Sequence, residues 1–475
     1  MSGRRTEALL VTPLPPLETG LATYAERVLR NTAGIIDWKV AHTGTADTAV
    51  LPEGPEYLSL EDLQEDGLPA IRVFQVGNSP HCFPVVRALY RLGGTALFHE
   101  TVLHHMLRHC YLEAGMLEEY RRELRFCYGP ASTGIEKELS KWLPEPEYDA
   151  LLKSRPLCGR TVAASSSAVC LNEYAAAGLR PAYPPGAVIT IGHPLSPLPG
   201  LVQMDRPFSP CIGMVGGFHH GRNLEKVIEA ITVFREAEKG AGLLLIGGGY
   251  PPGLPEWVMA TGRLPEADYQ SRIRTLDVVL DMRHPTCGET SGSLLEAMRA
   301  GIPSIVTASG SFLNLPSDGV IRLPPENIVQ ALPAALEMVL GDSRLRKRMS
   351  RASMEYAEDT GSAERLVRDW EGVITVAGRF APGSFEGVNT HSLAPAWSEP
   401  PEGFTRVTGT GPVTWGFEGR VFIRGPSTAS RGYLTACGNG NVNGTALPGE
   451  FEVMEFEGND LEFEGSGLVS HVLWR

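Results

Sequence analysis

Residues 278–307 read VVLDMRHPTCGETSGSLLEAMRAGIPSIVT, and the pattern of this stretch decides the fold of the chain. A short apolar run is followed by a polar loop with two glycines, and then leucines and a methionine recur at helical spacing. Gly301 ends this predicted helix, and a second buried strand begins at Ile302. The order strand, loop, helix, strand is that of a parallel sheet. In such a unit the N–H groups at the helix start lie near the end of the strand, where they can hold an anion or a sugar hydroxyl.

The overall composition is that of an ordinary globular protein. The chain has 475 residues, enough for two or three domains, of which 43% are hydrophobic and 20% charged. The net charge of −13 argues against partners such as nucleic acid or an anionic membrane, because both need a basic surface. We find no apolar run of the roughly 18 residues that span a membrane, no signal peptide and no C-x-x-C pair among eight cysteines. We therefore expect a cytoplasmic protein with reduced thiols.

Strand-loop-helix units occur in two other places. Residues 8–11 are apolar, a proline-rich loop follows, and Thr19 is a candidate cap for an amphipathic helix whose apolar stripe begins at Leu21. Residues 212–215 are apolar as well, and the loop GGFHHGRN leads to a second such stripe that begins at Leu224. Together with the opening stretch, these units predict an α/β protein.

The residues Leu-Glu-Ala-Met at 295–298 resemble the donor-site motif of the retaining glycosyltransferases of the GT-B fold, glycosyltransferase family 4. In that motif an earlier glutamate is separated from the second, here Glu296, by seven residues. Glu289 lies only seven positions before Glu296, so a strict alignment places Gly288 where the first glutamate is expected. The resemblance implies that Glu296 and, after a one-residue slip, Glu289 act at the donor site. The alternative for Glu296 is a capping box with Ser293, three residues earlier.

Members of this family usually carry an arginine just after the strand that opens the second domain, and a lysine five residues later. Both side chains grip the donor diphosphate. Arg222 stands at the second of these positions and keeps the charge, whereas Gly217 stands at the first, so one expected cation is missing. A guanidinium can stabilise the charge of the departing nucleoside diphosphate without a metal. The alternative for Arg222 is a surface charge near a helix start, where a cation is mildly unfavourable.

His99 ends a predicted strand in the first part of the chain, and with Glu100 it resembles the His-Asp pair of the family's acceptor domain. The resemblance implies that His99 donates to a sugar hydroxyl or stabilises developing charge; the alternative is a structural histidine. His104 and His105 follow on a predicted helix at no recognised metal spacing, so we expect them to pack at its surface. Residues 118–123, EEYRRE, are predicted to form a solvated helix face.

The resemblance implies two Rossmann-like, doubly wound domains that face a cleft, and we place the acceptor domain at 1–200 and the nucleotide-sugar domain at 201–380. A segment rich in proline, glycine and serine predicts a linker at 381–403. Short strand-like segments separated by turns predict a small all-β, sandwich-like domain at 404–475. The expected donor-binding residues lie in glycine-rich loops and at a helix start: Gly20, Gly216, Gly217, Gly248, Arg263, Gly288, Thr290, Ser291, Gly292 and Ser293.

The predicted function is transfer of a sugar, with a hexose as the expected group, from a nucleotide-sugar to an acceptor hydroxyl with retention of configuration. We expect no cofactor, and no Asp-x-Asp triplet is present that would clamp a diphosphate-bound metal. The expected partners are the nucleotide-sugar and an acceptor that is a glycan, a lipid or a small molecule; assembly into a homo-oligomer stays open. Two alternatives also stay open: a non-catalytic sugar- or nucleotide-binding subunit, and another enzyme of the same fold, such as a phosphorylase or an epimerase.

Overall fold

A computed structural model describes residues 5–64, 66–196, 200–380, 415–424, 431–447, 452–457 and 460–474. The chain separates into two compact units. The first is built from the described residues of Met1–Leu143, Leu151–Ile191 and Leu366–Arg475, and the second from those of Pro144–Ala150 and Gly192–Arg365. The linker predicted at 381–403 lies outside the described residues.

The first unit contains a seven-stranded parallel sheet with the strand order β3-β2-β1-β4-β5-β6-β7. The central strands β1, β4, β5 and β6 are mostly buried, as expected for a parallel sheet covered on both faces, whereas β2 and β3 at one edge have exposed or partly exposed polar residues. The strands are β1 (Thr6–Pro13), β2 (Ile36–Thr43), β3 (Glu56–Ser59), β4 (Arg72–Val76), β5 (Gly94–Phe98), β6 (Ser165–Cys170) and β7 (Val188–Thr190).

The second unit contains a six-stranded parallel sheet with the order β10-β9-β8-β11-β12-β13. The two parallel sheets confirm the predicted pair of Rossmann-like domains. The strands are β8 (Cys211–Val215), β9 (Gly242–Ile246), β10 (Val258–Ala260), β11 (Val278–Asp281), β12 (Ser304–Thr307) and β13 (Val320–Leu323).

The predicted C-terminal β region is confirmed as an antiparallel sheet, with the order β14-β18-β15-β16 and β17 paired to β15. Its grouping into a sandwich stays a prediction. The strands are β14 (Trp415–Arg424), β15 (Arg431–Val442), β16 (Thr445–Ala446), β17 (Glu452–Glu457) and β18 (Asp460–Trp474).

The described residues contain fourteen α-helices, and none of these is long and apolar enough to cross a membrane. They are α1 (Gly20–Thr32), α2 (Phe83–Leu92), α3 (His104–Glu113), α4 (Leu117–Tyr128), α5 (Ser132–Leu139), α6 (Glu145–Lys153), α7 (Gly159–Ala164), α8 (Glu173–Leu179), α9 (Leu224–Phe234), α10 (Glu266–Ile273), α11 (Gly292–Arg299), α12 (Ile328–Gly341), α13 (Ser343–Gly361) and α14 (Ala363–Arg379).

The last helix of the α/β part, α14, belongs with the first sheet. Trp370 on α14 is fully buried, and its ring packs edge-on against Trp38 of β2 with 5.4 Å between the centroids. Its buried residues Leu366, Trp370 and Val373 belong to the core that also contains residues of β1 and β2. The domain boundary at 380 stays a prediction.

Helices α3 and α4 contradict two predictions about the polar surface. His104 is fully buried, and its ring nitrogens bond the carbonyl of Arg155 (2.6 Å) and the hydroxyl of Tyr120 (2.8 Å). Glu123 is also fully buried, and Arg160 donates to its carboxylate over 3.2 Å. The solvated face predicted for 118–123 therefore holds for only part of the segment. Internal partners compensate the burial of both polar groups.

Candidate donor site

The second sheet reverses its winding between β8 and β11. From β8 the chain winds outward to β9 and β10, and it then returns to place β11 on the other side of β8. Ligands of open α/β sheets bind in the crevice at such a switch point, beyond the carboxyl ends of the strands. The loops that leave β8, β9 and β11 there contain most of the residues predicted to bind the donor.

Two glycine loops meet at this edge, backbone against backbone. The N–H of Gly216 donates to the carbonyl of Ile246 (2.8 Å), and the N–H of Phe218 donates to Gly248 (2.9 Å). A Cβ on Gly247 would lie 2.3 Å from the carbonyl oxygen of Gly216, and Gly247 has a φ of +143°. Only glycine allows this approach at Gly247, and Gly216 also has a positive φ of +110°.

Helix α11 begins beside the loop that follows β8. The hydroxyl of Ser291 accepts a bond from the N–H of Leu294 (3.3 Å), so Ser291 is the cap of the helix. The capping box between Ser293 and Glu296, the alternative raised by the sequence, is therefore not what begins α11. A Cβ on Gly216 would lie 3.0 Å from the hydroxyl of Ser293. The start of α11 and the β8 loop are thus in direct contact.

Glu296 lies on α11 with 5% of its surface exposed. One carboxylate oxygen accepts a bond from the N–H of Ser196 (2.9 Å), and the other accepts bonds from Gln270 (3.1 Å) and Arg299 (2.5 Å). The residue identified by the family motif therefore also ties its helix to neighbouring segments of the second unit. Its contact with a donor stays a prediction.

Arg222 is buried, with 1% of its surface exposed, which contradicts the alternative of a surface charge. Its guanidinium donates to the carbonyls of Val215 (2.5 Å) and Gly217 (3.3 Å) and to the hydroxyl of Tyr250 (3.2 Å). Arg222 also forms an ion pair with Asp281 over 3.5 Å. The side chain at the predicted lysine position thus holds the loop after β8 in place.

Asp281 and Arg283 belong to this site but were not among the residues predicted from the sequence. Asp281 is buried at the end of β11 and accepts bonds from the hydroxyl of Ser291 (2.7 Å) and from Nε of Arg283 (3.0 Å). Arg283 also donates through Nη2 to Ser291 over 2.9 Å. Two charged residues at the end of an apolar strand were the only available signal, and the family motif includes neither of them.

Glu289 is the second carboxylate of the loop that follows β11. It accepts bonds from the hydroxyl of Thr286 (3.0 Å) and from the N–H of Cys287 (2.7 Å), and it pairs with Nη1 of Arg283 at 3.4 Å. Burial alone would raise the pKa of Glu289 and of Asp281. The charge of Arg283, with the hydrogen bonds to both carboxylates, outweighs burial and holds each pKa below its ordinary value.

The other predicted site residues divide between the two units. Gly20 begins α1, which Thr19 caps as predicted, and the ring of His99 packs edge-on against Tyr24 in the same unit, 4.6 Å between centroids. Arg263 is exposed in the second unit, next to Gly262, which pairs with Gly247. Gly217, Gly248, Gly288, Thr290, Gly292 and Ser293 all lie in the loops of the switch point or at the start of α11. The described residues contain no cluster of three or more potential metal ligands.

Comparisons with known proteins give a family for one part of the chain and a fold for most of it. Residues 209–342 match the model of the family Glycosyl transferases group 1. HepE of Anabaena, solved with UDP and glucose, aligns with a TM-score of 0.51 at 11% identity over 78% of this chain and 100% of its own. Sucrose-phosphate synthase of Thermosynechococcus elongatus aligns with a TM-score of 0.49 at 13% identity over 78% and 98%. No curated protein matches the chain by sequence.

Proposed function

We propose that this protein, a glycosyltransferase with the GT-B fold and a Glycosyl transferases group 1 domain at 209–342, moves a hexose from a nucleotide-sugar to an acceptor hydroxyl. We further propose that the reaction retains the anomeric configuration and needs no metal, as the family 4 resemblance implies. One observation carries the proposal: the β8 glycine loop contacts the start of α11 at the switch point of the second sheet.

This contact creates a site for the donor diphosphate. The first N–H groups of an α-helix have no partner within the helix, and the helix dipole adds partial positive charge at that end. At α11 these groups belong to Gly292 and Ser293, and Gly216 adds no side chain that would keep a phosphate away. The charge of Arg222, fixed behind the β8 loop, supports the anion without direct contact.

The two glutamates suit hydroxyl groups of the donor. Glu289 is partly exposed, with 15% of its side chain accessible, and we assign it to the hydroxyls of the transferred sugar. We assign Glu296, on the resemblance of its motif, to hydroxyls of the donor sugar or of the ribose, because a carboxylate accepts hydrogen bonds from hydroxyl groups. In the first unit, His99 is assigned to the acceptor, and Gly20 stays a predicted donor-binding residue.

The chemistry needs no separate catalytic base. As the bond between the sugar carbon and the phosphate oxygen breaks, the acceptor oxygen bonds to the same carbon from the same side. The proton of the acceptor hydroxyl passes to an oxygen of the leaving diphosphate. The protein contributes positioning and stabilisation of the charge on the leaving group.

A panel of nucleotide-sugars tests this function. UDP-glucose comes first, since HepE was solved with UDP and glucose. We expect slow release of a nucleoside diphosphate from one donor, unaffected by EDTA, and a product that keeps the anomeric configuration by NMR. A binding subunit would release none, a phosphorylase would require inorganic phosphate, and an epimerase would convert the nucleotide-sugar or its sugar without an acceptor. We propose the cytoplasm as the location, supported by the free state of the seven cysteines whose side chains the structure describes.

A further inference from the structure

Arg283, in the loop after β11, is more accessible than Arg222, which lies in the loop between β8 and α9. Its side chain is 14% exposed, against 1% for Arg222. The guanidinium of Arg222 is turned toward loop carbonyls and Tyr250, so it cannot approach a phosphate without releasing the β8 loop. The position of the other expected cation is occupied by Gly217. A charged side chain that meets the donor diphosphate must therefore come from another element.

The contacts of Arg283 differ in how readily they can be exchanged. Its Nε bond to Asp281 (3.0 Å) and its Nη2 bond to Ser291 (2.9 Å) are short, whereas the Nη1 contact with Glu289 is 3.4 Å long. If a phosphate oxygen replaces Oε1 of Glu289 at Nη1, Oε2 of Glu289 keeps its bonds from Thr286 and Cys287. The exchange therefore leaves no carboxylate without a hydrogen bond, and its cost is small.

The charges of the cluster are balanced in the resting pairing, and the geometry of Arg283 suits an incoming phosphate. Asp281 and Glu289 balance Arg222 and Arg283, so two negative groups oppose two positive groups. A phosphate offers Arg283 two oxygens in the fork geometry that guanidinium prefers, in place of one long contact with Glu289. The bond to Asp281 meanwhile keeps the guanidinium close to Ser291, the residue that begins α11.

We propose that Arg283 binds the diphosphate of the nucleotide donor, exchanging its contact with Glu289 for phosphate oxygens while Asp281 holds its Nε. This inference rests on the proposed function, since it needs a nucleotide donor at the start of α11. Arg283 supplies the positive charge that is missing because Gly217 stands at the expected arginine position. Asp281 is a positioning residue, which acts on the donor through Arg283.

Binding of nucleoside diphosphates tests the inference. The affinities of UDP, GDP, ADP, CDP and dTDP are measured by calorimetry for the intact protein and for Arg283→Gln, Arg283→Lys, Glu289→Gln and the control Arg351→Gln. Arg351 is exposed on α13 and pairs with Glu355, far along the chain from the loop. Arg283→Gln should lower the affinity for the diphosphate roughly tenfold to a hundredfold, the range for a lost charged hydrogen bond. Arg283→Lys should recover part of this loss.

Glu289→Gln should act in the opposite direction and strengthen diphosphate binding several-fold, because it removes the competing carboxylate. This variant keeps the test decisive if Arg283→Gln fails to fold. The inference is overturned if Arg283→Gln binds the diphosphate within twofold of the intact protein, or if Glu289→Gln does not strengthen binding. If either of these results is found and the intact protein still releases diphosphate from a donor, only the inference fails. If the intact protein neither binds a nucleoside diphosphate nor acts on a nucleotide-sugar, the proposed function fails with it.

Discussion

The hydroxyl of Ser291 donates a hydrogen bond to the carboxylate of Asp281 over 2.7 Å, and this bond joins the first turn of α11 to the end of β11. The same hydroxyl accepts bonds from the N–H of Leu294 and from Nη2 of Arg283. A hydroxyl has one donor and two acceptor positions, so every position is in use. The helix start and the charged cluster are therefore fixed by one atom.

Replacing Ser291 with alanine should destabilise the protein more than an ordinary loss of a helix cap. We expect about 2–3 kcal/mol from the lost cap together with the buried bond to Asp281. Asp342, the exposed cap of α13, is the matched control, and its replacement by alanine should cost about 1 kcal/mol. Urea unfolding of both variants measures the difference, and equal losses would show that the bond to Asp281 contributes nothing.

The second prediction concerns how the free energy of unfolding changes at low pH. The pKa values of Asp281 and Glu289 are lowered in the folded protein, so their contribution to the free energy of unfolding is complete above the ordinary carboxyl pKa of about 4. It is lost as the pH falls through the lowered values. Asp281→Asn should therefore be less stable than the intact protein near pH 6, and the difference should shrink below about pH 4. Unfolding curves from pH 3 to pH 7 test this; a constant difference would contradict it.

The buried pair in the first unit gives a third prediction. Burial raises the pKa of Glu123, and Arg160 opposes that rise through its charge and hydrogen bond. Replacing Glu123 with leucine leaves a cation buried and should cost about 3–5 kcal/mol. The double variant with Arg160→Met should recover most of the loss, because no unpaired charge remains. A double variant as unstable as the single one would show that the pair is not the cause.

The two parts of the Arg222 proposal, charge and loop positioning, can be separated by substitution. Arg222→Ala should reduce turnover by about a thousandfold, comparable to the loss of a preorganised donor. Arg222→Lys keeps the charge but cannot donate to both Val215 and Gly217 in the same fork. If charge dominates, lysine should restore most of the turnover; if positioning dominates, the lysine variant should resemble alanine. Full turnover in the alanine variant would show that Arg222 contributes nothing to the reaction.

Glu296→Gln should lower turnover by about a hundredfold, through loss of a charged contact with the donor. Because Arg299 loses an ionised partner, the melting temperature should fall as well. Gln270→Ala is the matched control: it removes one bond to the same carboxylate and keeps its charge. Equal turnover in the Glu296 and control variants would reduce Glu296 to a structural residue.

Much of the fold could be predicted from the sequence, because parallel strands and amphipathic helices have strong local patterns. The apolar run at 278–280, the stripe from Leu294 to Met298 and the cap at Thr19 all depend on nearby residues. The cluster around Asp281 has no such pattern. Its members come from the end of β11, the loop after it, the start of α11 and the loop between β8 and α9, and only the tertiary fold brings Arg222 to Asp281. Burial of Glu123 escaped prediction for the same reason, since its partner Arg160 lies 37 positions away.

The most direct test of the donor site is release of a nucleoside diphosphate by Gly216→Val, compared with the intact protein and with Gly341→Ala. A side chain at Gly216 would enter the space beside Ser293 and Arg222, at a φ of +110°, whereas nothing lies within 4 Å of a Cβ on Gly341. We predict that the intact protein and Gly341→Ala release diphosphate from the same nucleotide-sugar at equal rates, and that Gly216→Val, still folded by circular dichroism, releases none. Equal release by all three proteins, or no release by the intact protein from any donor, would contradict a donor site between the β8 loop and α11.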